Sequence, residues 1–214
     1  MSETLQGNRR GRRSREEILE AAARVMAARG YAGTSISVIS AESGLPKSAI
    51  YHHFHSKGGL LSAVMARGLY DFFEAMRVAQ ADPPADGTPY ERLQWYLRKT
   101  AEVFEARSDF LRLHMLLIMS EEAADVEVRD VIAQVRGDGR AWMNHMIRSA
   151  FEPEGEQVAE AVADALDHFA MAGFDGAFIA FQAEGERTVL SQMEMLCDAV
   201  VALGEAKARE LARS

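Results

Sequence analysis

The segment TSISVISAESGLPKSAIYHHFHSKGGLL, residues 34–61, constrains the fold more than any other part of the chain. Ile36 and Ile39 fall three apart, which places both on one face of a helix over residues 35–42. Ser43, Gly44 and Leu45 interrupt it, and Gly44 can take the left-handed conformation that ends a helix without a Cβ clash. Pro46 suits the first turn of a second helix, where its fixed φ and missing N–H cost little. Leu45 in the turn and Ile50 and Phe54 in that helix point inward, and Lys47, Ser48, Tyr51 and His52 point outward. Two short helices about a three-residue turn, the second presenting small, cationic and aromatic side chains, predict a helix-turn-helix whose open face enters the major groove of duplex DNA.

Charge along the chain agrees with that reading. The chain carries a net charge of −8, but residues 1–60 hold nine Lys/Arg against five Asp/Glu, and the other 154 residues hold fifteen against twenty-seven. Positive charge is segregated onto the predicted DNA-reading end, and an acidic remainder discourages stray phosphate contacts. Ala, Leu, Glu, Arg and Met fill long unbroken stretches, which favours an all-α fold. No apolar run approaches the ~20 residues that span a bilayer, and the basic N-terminus is unlike a signal peptide. One cysteine, Cys197, allows no internal disulfide and suits a reducing cytoplasm.

Residues 1–13 read as a flexible basic arm, with Arg9, Arg10, Arg12 and Arg13 around Gly11, able to add phosphate or minor-groove contacts. Ser14 and Glu17 read as a capping box opening helix 1, and Gly30 as its end. Thr34 or Ser35 caps helix 2, and Lys57 opens a long helix 4 that runs to about residue 81. Residues 82–89, DPPADGTP, form a linker. Helices follow from residue 90, over 110–119, over 126–151 despite Gly137-Asp138-Gly139, over 157–183 and over 188–212. The organisation is therefore an arm at 1–13, a three-helix DNA-binding domain at 14–60, and, joined to it by the long helix, a larger helical ligand-binding and dimerisation domain at 61–214.

Residues 14–65, about a quarter of the chain, also resemble a known family. AIYHHFHSKGGLL resembles the end of the DNA-binding domain of TetR-type regulators, in which a Tyr, an aromatic and a Lys precede the fourth helix. REEILEAAARVMAARGYAGTSISVIS resembles that family's first helix, its Gly-aromatic turn and its Thr-Ser helix start. Two positions depart from the pattern: Pro46 stands where a small Ser or Thr is usual, and Ser40 where Ala is. The resemblance implies a homodimeric transcriptional regulator, a repressor released from a palindromic operator by a small, largely apolar effector. It implies that Lys47, Ser48, Tyr51 and His52 face the major groove, and that Thr34, Ser35, Tyr51 and Lys57 contact phosphate. Hydroxyls suit phosphate oxygens, and Lys47 can reach guanine O6 and N7.

The resemblance also implies an effector pocket in the middle helices, where Trp95, Phe104, Phe110, His114, Met115, Trp142, His145 and Met146 could line either an apolar cavity or a core. The helix over 157–183 is apolar on more than one side, so it must bury two faces. A four-helix dimer interface using Phe174, Ala177, Phe178, Phe181, Leu190, Met193 and Cys197 satisfies this. His52, His53 and His55 are poorly spaced for a metal, and no cofactor or metal is expected. Two rival functions remain at this level: a small helical enzyme using Glu160, Asp164 and His168, and a non-specific architectural DNA binder. No nucleophile or phosphate-loop motif supports an enzyme.

Overall fold

A computed structural model of the chain describes residues 2–184 and 189–213. Among these the secondary structure is helical throughout: α1 (Ser2–Arg29), α2 (Ile36–Ser43), α3 (Lys47–Phe54), α4 (Lys57–Ala79), α5 (Pro89–Ala106), α6 (Ser108–Ile118), α7 (Val126–Phe151), α8 (Glu156–Glu184) and α9 (Val189–Leu211), with short 3-10 turns at Glu121–Ala124 and Glu152–Glu154. None of these helices is long and apolar enough to cross a membrane. By packing, the chain forms two compact units, one of Met1–Phe72 with Arg107–Val135, the other of Phe73–Ala106 with Arg136–Ser214.

In the first unit, α1 buries Ile18, Leu19, Ala22 and Met26 with Ile39 of α2, Ile50 and Phe54 of α3, and Leu60, Leu61 and Met65 of α4. Helix α6 packs on α1 and joins α4 where Gly68 lies under the Phe110 ring; a Cβ there would stand 2.4 Å from Cδ2. Helix α1 begins at Ser2 and not at the expected Ser14. The expected capping box does not form, because residues 2–13 contain no proline and continue the helix. Ser14 instead donates its hydroxyl back to the Gly11 carbonyl at 3.0 Å, and Glu17 pairs with Arg13 at 2.8 Å.

In the second unit α9 packs along α5 and α8. Phe104 of α5 meets Phe174 and Phe178 of α8 edge-on, at 4.6 and 5.1 Å between ring centroids. Close approaches pass over glycines: a Cβ on Gly204 would meet the Phe151 ring at 2.4 Å, and one on Gly173 would meet Leu196 at 2.5 Å. Helix α5 opens with a capping box absent from the sequence reading of 82–89. Glu91 accepts from Thr88 N and Oγ1 at 2.8 and 3.0 Å, while Thr88 Oγ1 accepts from Glu91 N at 3.3 Å. Arg92, buried one residue later, donates to the carbonyls of Ala85 and Ser149 and so ties the 82–89 linker to the end of α7. Helix α7 runs unbroken through Gly137 and Gly139, as its apolar phase predicts.

Candidate nucleic-acid interface

The turn between α2 and α3 is held by short-range chemistry. Ser35 caps α2 by accepting from Val38 N at 3.3 Å, and Gly44 ends it at φ +69°. Ser40, at one of the two departing positions, donates to the Leu45 carbonyl at 2.7 Å, and Ser43 Oγ accepts from Leu45 N at 3.3 Å. The hydroxyl thus does the work of a turn lock where the usual alanine could only pack. Pro46 sits at the N-cap of α3, one place before the expected first turn, and provides no side-chain cap. The leading N–H groups of α3 consequently lack that intramolecular partner, which suits a helix N-terminus presented to an anion.

Helix α3 is anchored by buried Ile50 and Phe54, and the alternate face carries exposed Lys47, Ser48, Tyr51 and His52. These four were the residues expected at the major groove, and the fold leaves all of them accessible. Tyr51 is 49% exposed although it is a large aromatic, a cost in apolar hydration that a partner surface would relieve.

The expected phosphate contacts divide. Ser35 is exposed at the start of α2. Thr34 is only 2% exposed, and its hydroxyl donates to the Gly30 carbonyl at 2.8 Å, closing the turn after α1. Its side chain has little surface to offer a phosphate. Lys57 is half-buried with Nζ 4.0 Å from the centroid of the Tyr31 ring, a cation–π contact that steers the ammonium at the start of α4.

The link from α3 to α4 is tight. His55 has φ +63°, ψ −42°, and Ser56 N donates to the Phe54 carbonyl at 2.7 Å, a strained γ-turn around His55. Ser56 then caps α4 by accepting from Gly59 N at 2.9 Å. A Cβ on Gly59 would fall 2.3 Å from the Phe54 carbonyl oxygen, so this turn requires glycine there. The Ser-Lys-Gly-Gly string is therefore a geometric device that sets how α3 leaves the body of its unit. The sequence places Lys57 at the start of α4 and does not reveal the γ-turn before it.

Of the three histidines in this region, His52 and His55 are exposed and His53 turns toward α1. His53 Nε2 lies 2.8 Å from Ser14 Oγ, and burial, with His52 and Arg15 nearby, holds its pKa below the usual 6.5. Among the described residues no group of three or more His, Cys, Asp or Glu is arranged to hold a metal.

The remaining predicted residues lie elsewhere. Phe110, His114 and Met115 belong to the first unit and Trp95, Phe104, Trp142, His145 and Met146 to the second. In the second unit, Trp142 donates to Gln80 Oε1 at 3.0 Å, and Gln80 Nε2 donates to the Tyr96 carbonyl and to Thr100 Oγ1, both at 3.2 Å. Gln80 and Thr100 are buried, a polar knot that sequence reading did not find.

The residues predicted for a dimer interface need correction. Phe174, Ala177, Phe178, Met193 and Cys197 are all buried within the single chain, and Phe181 and Leu190 are half-buried. Their stripe faces α5 and the α8–α9 contact. The second apolar face of α8 is instead Ala165, Phe169, Ala172, Gly176 and Ile179, all exposed at alternating spacings of four and three, with Met195, Ala202 and Leu203 exposed on α9.

The acid–histidine couple on α8 does not assemble either. Asp164 Oδ1 accepts from Asn144 at 3.0 Å, His168 Nε2 sits 2.6 Å from Arg140 Nη1, and Glu160 is exposed. The Asp164 carboxylate and the His168 ring nitrogen are each engaged by a different residue of α7, so the two do not form an acid–base pair with each other.

Comparison with known proteins agrees with this geometry. Residues 18–64 match the family described as bacterial regulatory proteins, tetR family. The chain is 33% identical over 115 residues to the HTH-type transcriptional regulator LmrA of Bacillus subtilis, a match covering 53% of this chain and 60%, less than two thirds, of that relative. It is 24% identical over 183 residues to the HTH-type transcriptional repressor DhaR of a Mycobacterium species, covering 83% of this chain and 87% of that one. In fold it is similar to a transcriptional regulator from Saccharomonospora viridis solved in complex with choline, with TM-score 0.69 and 21% identity over 89% of this chain and 96% of the other.

Proposed function

We propose that this chain, whose residues 18–64 match the tetR family of bacterial regulatory proteins, is a homodimeric repressor that binds a palindromic operator and leaves it when a small, largely apolar effector binds. The observation that carries this reading is the face of α3: four side chains suited to base and phosphate contact are exposed on a short helix whose opposite side is locked into the core. Residues 14–60 are the reading domain, and residues 61–214 are the effector and dimerisation domain. Lys47, Ser48, Tyr51 and His52 enter the major groove, and Ser35, Tyr51 and Lys57 take phosphates.

The exposed stripe of α8 and α9 supports the dimer. Beyond its own helix backbone and chain neighbours, Gly176 has no heavy atom within 4 Å of where a Cβ would stand, and the neighbouring Ala172 and Ala165 are also small, which allows two α8 helices to approach closely. A two-fold axis there would use the stripe twice and close the assembly at two subunits. It would also hold two reading helices at a fixed spacing, which must be about 34–36 Å for successive major grooves.

Release follows from that spacing. Helix α4 is continuous from Lys57, next to the reading helix, to Ala79, next in sequence to the buried Gln80. An effector that favours another α4 orientation would disfavour simultaneous docking of both heads, and by linkage the operator would weaken effector binding equally. Selection of bound sequences from a randomised duplex pool at near-physiological salt tests the first half. A pseudo-palindrome supports the regulator, whereas salt-sensitive binding without any enriched sequence would make the protein a non-specific binder.

A further inference from the structure

The basic segment ahead of Ser14 is helical, and it is clipped to the reading helix. Ser14 Oγ donates its one proton to the Gly11 carbonyl at 3.0 Å, so the contact of 2.8 Å with His53 Nε2 must run the other way, with His53 donating. One residue on, the Arg15 guanidinium lies 5.3 Å from the centroid of the Phe54 ring. Two adjacent residues of α1 therefore grip the two adjacent residues at the end of α3. The His53 ring in turn stands edge-on to His52, at 5.2 Å between centroids, and His52 is on the exposed reading face.

A helix has a phase, and this clip sets it. Each residue turns the helix by about 100°, so Arg10 lies within about 40° of Ser14 and one turn beyond it, on the face of α1 that Ser14 turns toward His53. Arg12 lies about 160° away, on the opposite side. Arg13 is paired with Glu17 at 2.8 Å. Arg10 is exposed. A flexible arm would make these arginines equivalent, whereas a clipped helix makes them unlike.

We propose that the N-terminal part of α1 is a second DNA-contacting element, held in register with α3 by the Ser14–His53 bond, in which Arg10 binds a backbone phosphate beside the half-site and Arg12 does not. The proposal rests on the operator-binding reading above and adds to it a site outside the helix-turn-helix. Its ligand is the phosphodiester backbone of duplex DNA: a guanidinium can bind two phosphate oxygens at once, and nothing in the geometry directs Arg10 to a base edge. His53 acts as a positioning residue, since it touches Ser14 and not the DNA.

The test measures the affinity of full-length wild type, Arg10→Ala, Arg12→Ala and Ser14→Ala for the selected operator duplex across a salt series. Loss of one phosphate contact per head reduces the steepness of log K against log salt by about 0.9 per head. The expected result is that Arg10→Ala lowers the slope by that amount, Arg12→Ala leaves it unchanged, and Ser14→Ala moves it toward the Arg10→Ala value with the reading helix still folded by circular dichroism. Equal losses for Arg10→Ala and Arg12→Ala would overturn the clipped helix in favour of a flexible arm. No loss for either would overturn the contact itself. Wild type that binds no duplex would overturn the regulator reading, and this proposal with it.

Discussion

If the proposed two-fold interface runs along α8, replacing Ile179 with aspartate separates the subunits while leaving each one folded. In the single chain Ile179 is 59% exposed, in the middle of the stripe that includes Phe169 at 46% and, on α9, Met195 at 63%. Burying a whole isoleucine side chain is worth about 2 kcal/mol, so covering the exposed part of this one contributes roughly 1.2 kcal/mol. A two-fold interface contains the residue twice, which makes about 2.4 kcal/mol per dimer, or a factor of about 50 in dissociation constant at 1.4 kcal/mol per decade. The two carboxylates add a desolvation cost and oppose one another across the axis, so a factor of about 50 is the floor. Sedimentation across a concentration series reads the dissociation constant directly. The same change at an exposed helical position should alter the stability of the monomer by no more than about 0.5 kcal/mol. An Ile179→Asp chain that keeps its helical content and dimerises as tightly as wild type would refute the assignment of this stripe. A parallel Phe178→Asp chain should fail differently, by losing its fold, because Phe178 is 2% exposed and packed on Phe104.

The two interior glycines of different surroundings should respond with opposite signs. Gly137→Ala, with nothing within 4 Å of the new methyl, should raise stability by about 0.5–1 kcal/mol through helix propensity, whereas Gly204→Ala drives a methyl into the Phe151 ring and should lower it by about 1–3 kcal/mol; urea titrations of both measure this. Cys197 is fully buried, its Sγ contacts the Tyr90 carbonyl at 3.7 Å, and burial pushes its thiol up to about 12. A thiol-specific reagent at neutral pH should therefore find no reactive thiol in the native chain and one per chain after unfolding. His53 has a lowered pKa in the folded chain, so its contribution to stability is fully present above the ordinary 6.5 and is lost as pH falls from there through the folded value, because the unfolded chain takes up the proton first. Urea midpoints of wild type and His53→Gln should converge as pH drops across that window, and a constant difference would rule the ring out as the cause.

The reading head was legible because its signals are local. Gly44 must end a helix, Ile50 and Phe54 must turn inward, and the outward positions 47, 48, 51 and 52 follow from helical period alone. The start of α1 was misread for the same reason: Ser14 and Glu17 have the spacing of a capping box, but the pattern is silent on whether residues before it keep helical dihedrals. The Ser14–His53 bond spans 39 positions and the Gln80–Trp142 bond 62, distances over which no local pattern carries information.

On α8 most of the aromatics expected to meet a second subunit are buried within the single chain instead. That this helix needs two buried faces follows from its composition. Which face meets its own chain depends on the partner surfaces, and the partner of Phe174 and Phe178 is Phe104, some 70 residues away in sequence. Large aromatics were the natural choice for an interface because they carry the most apolar area. Yet the same area makes them more effective in a core, where both sides of each ring find contacts within one chain. What is left on α8 for a proposed second subunit is a stripe in which Phe169 is the one large ring among Ala165, Ala172, Gly176 and Ile179, small enough to permit close approach along the helix. Fixing the distance between two reading helices calls for such a close, shape-determined contact more than for a large apolar one, since a few ångströms of slack in that spacing would remove the advantage of binding both half-sites together.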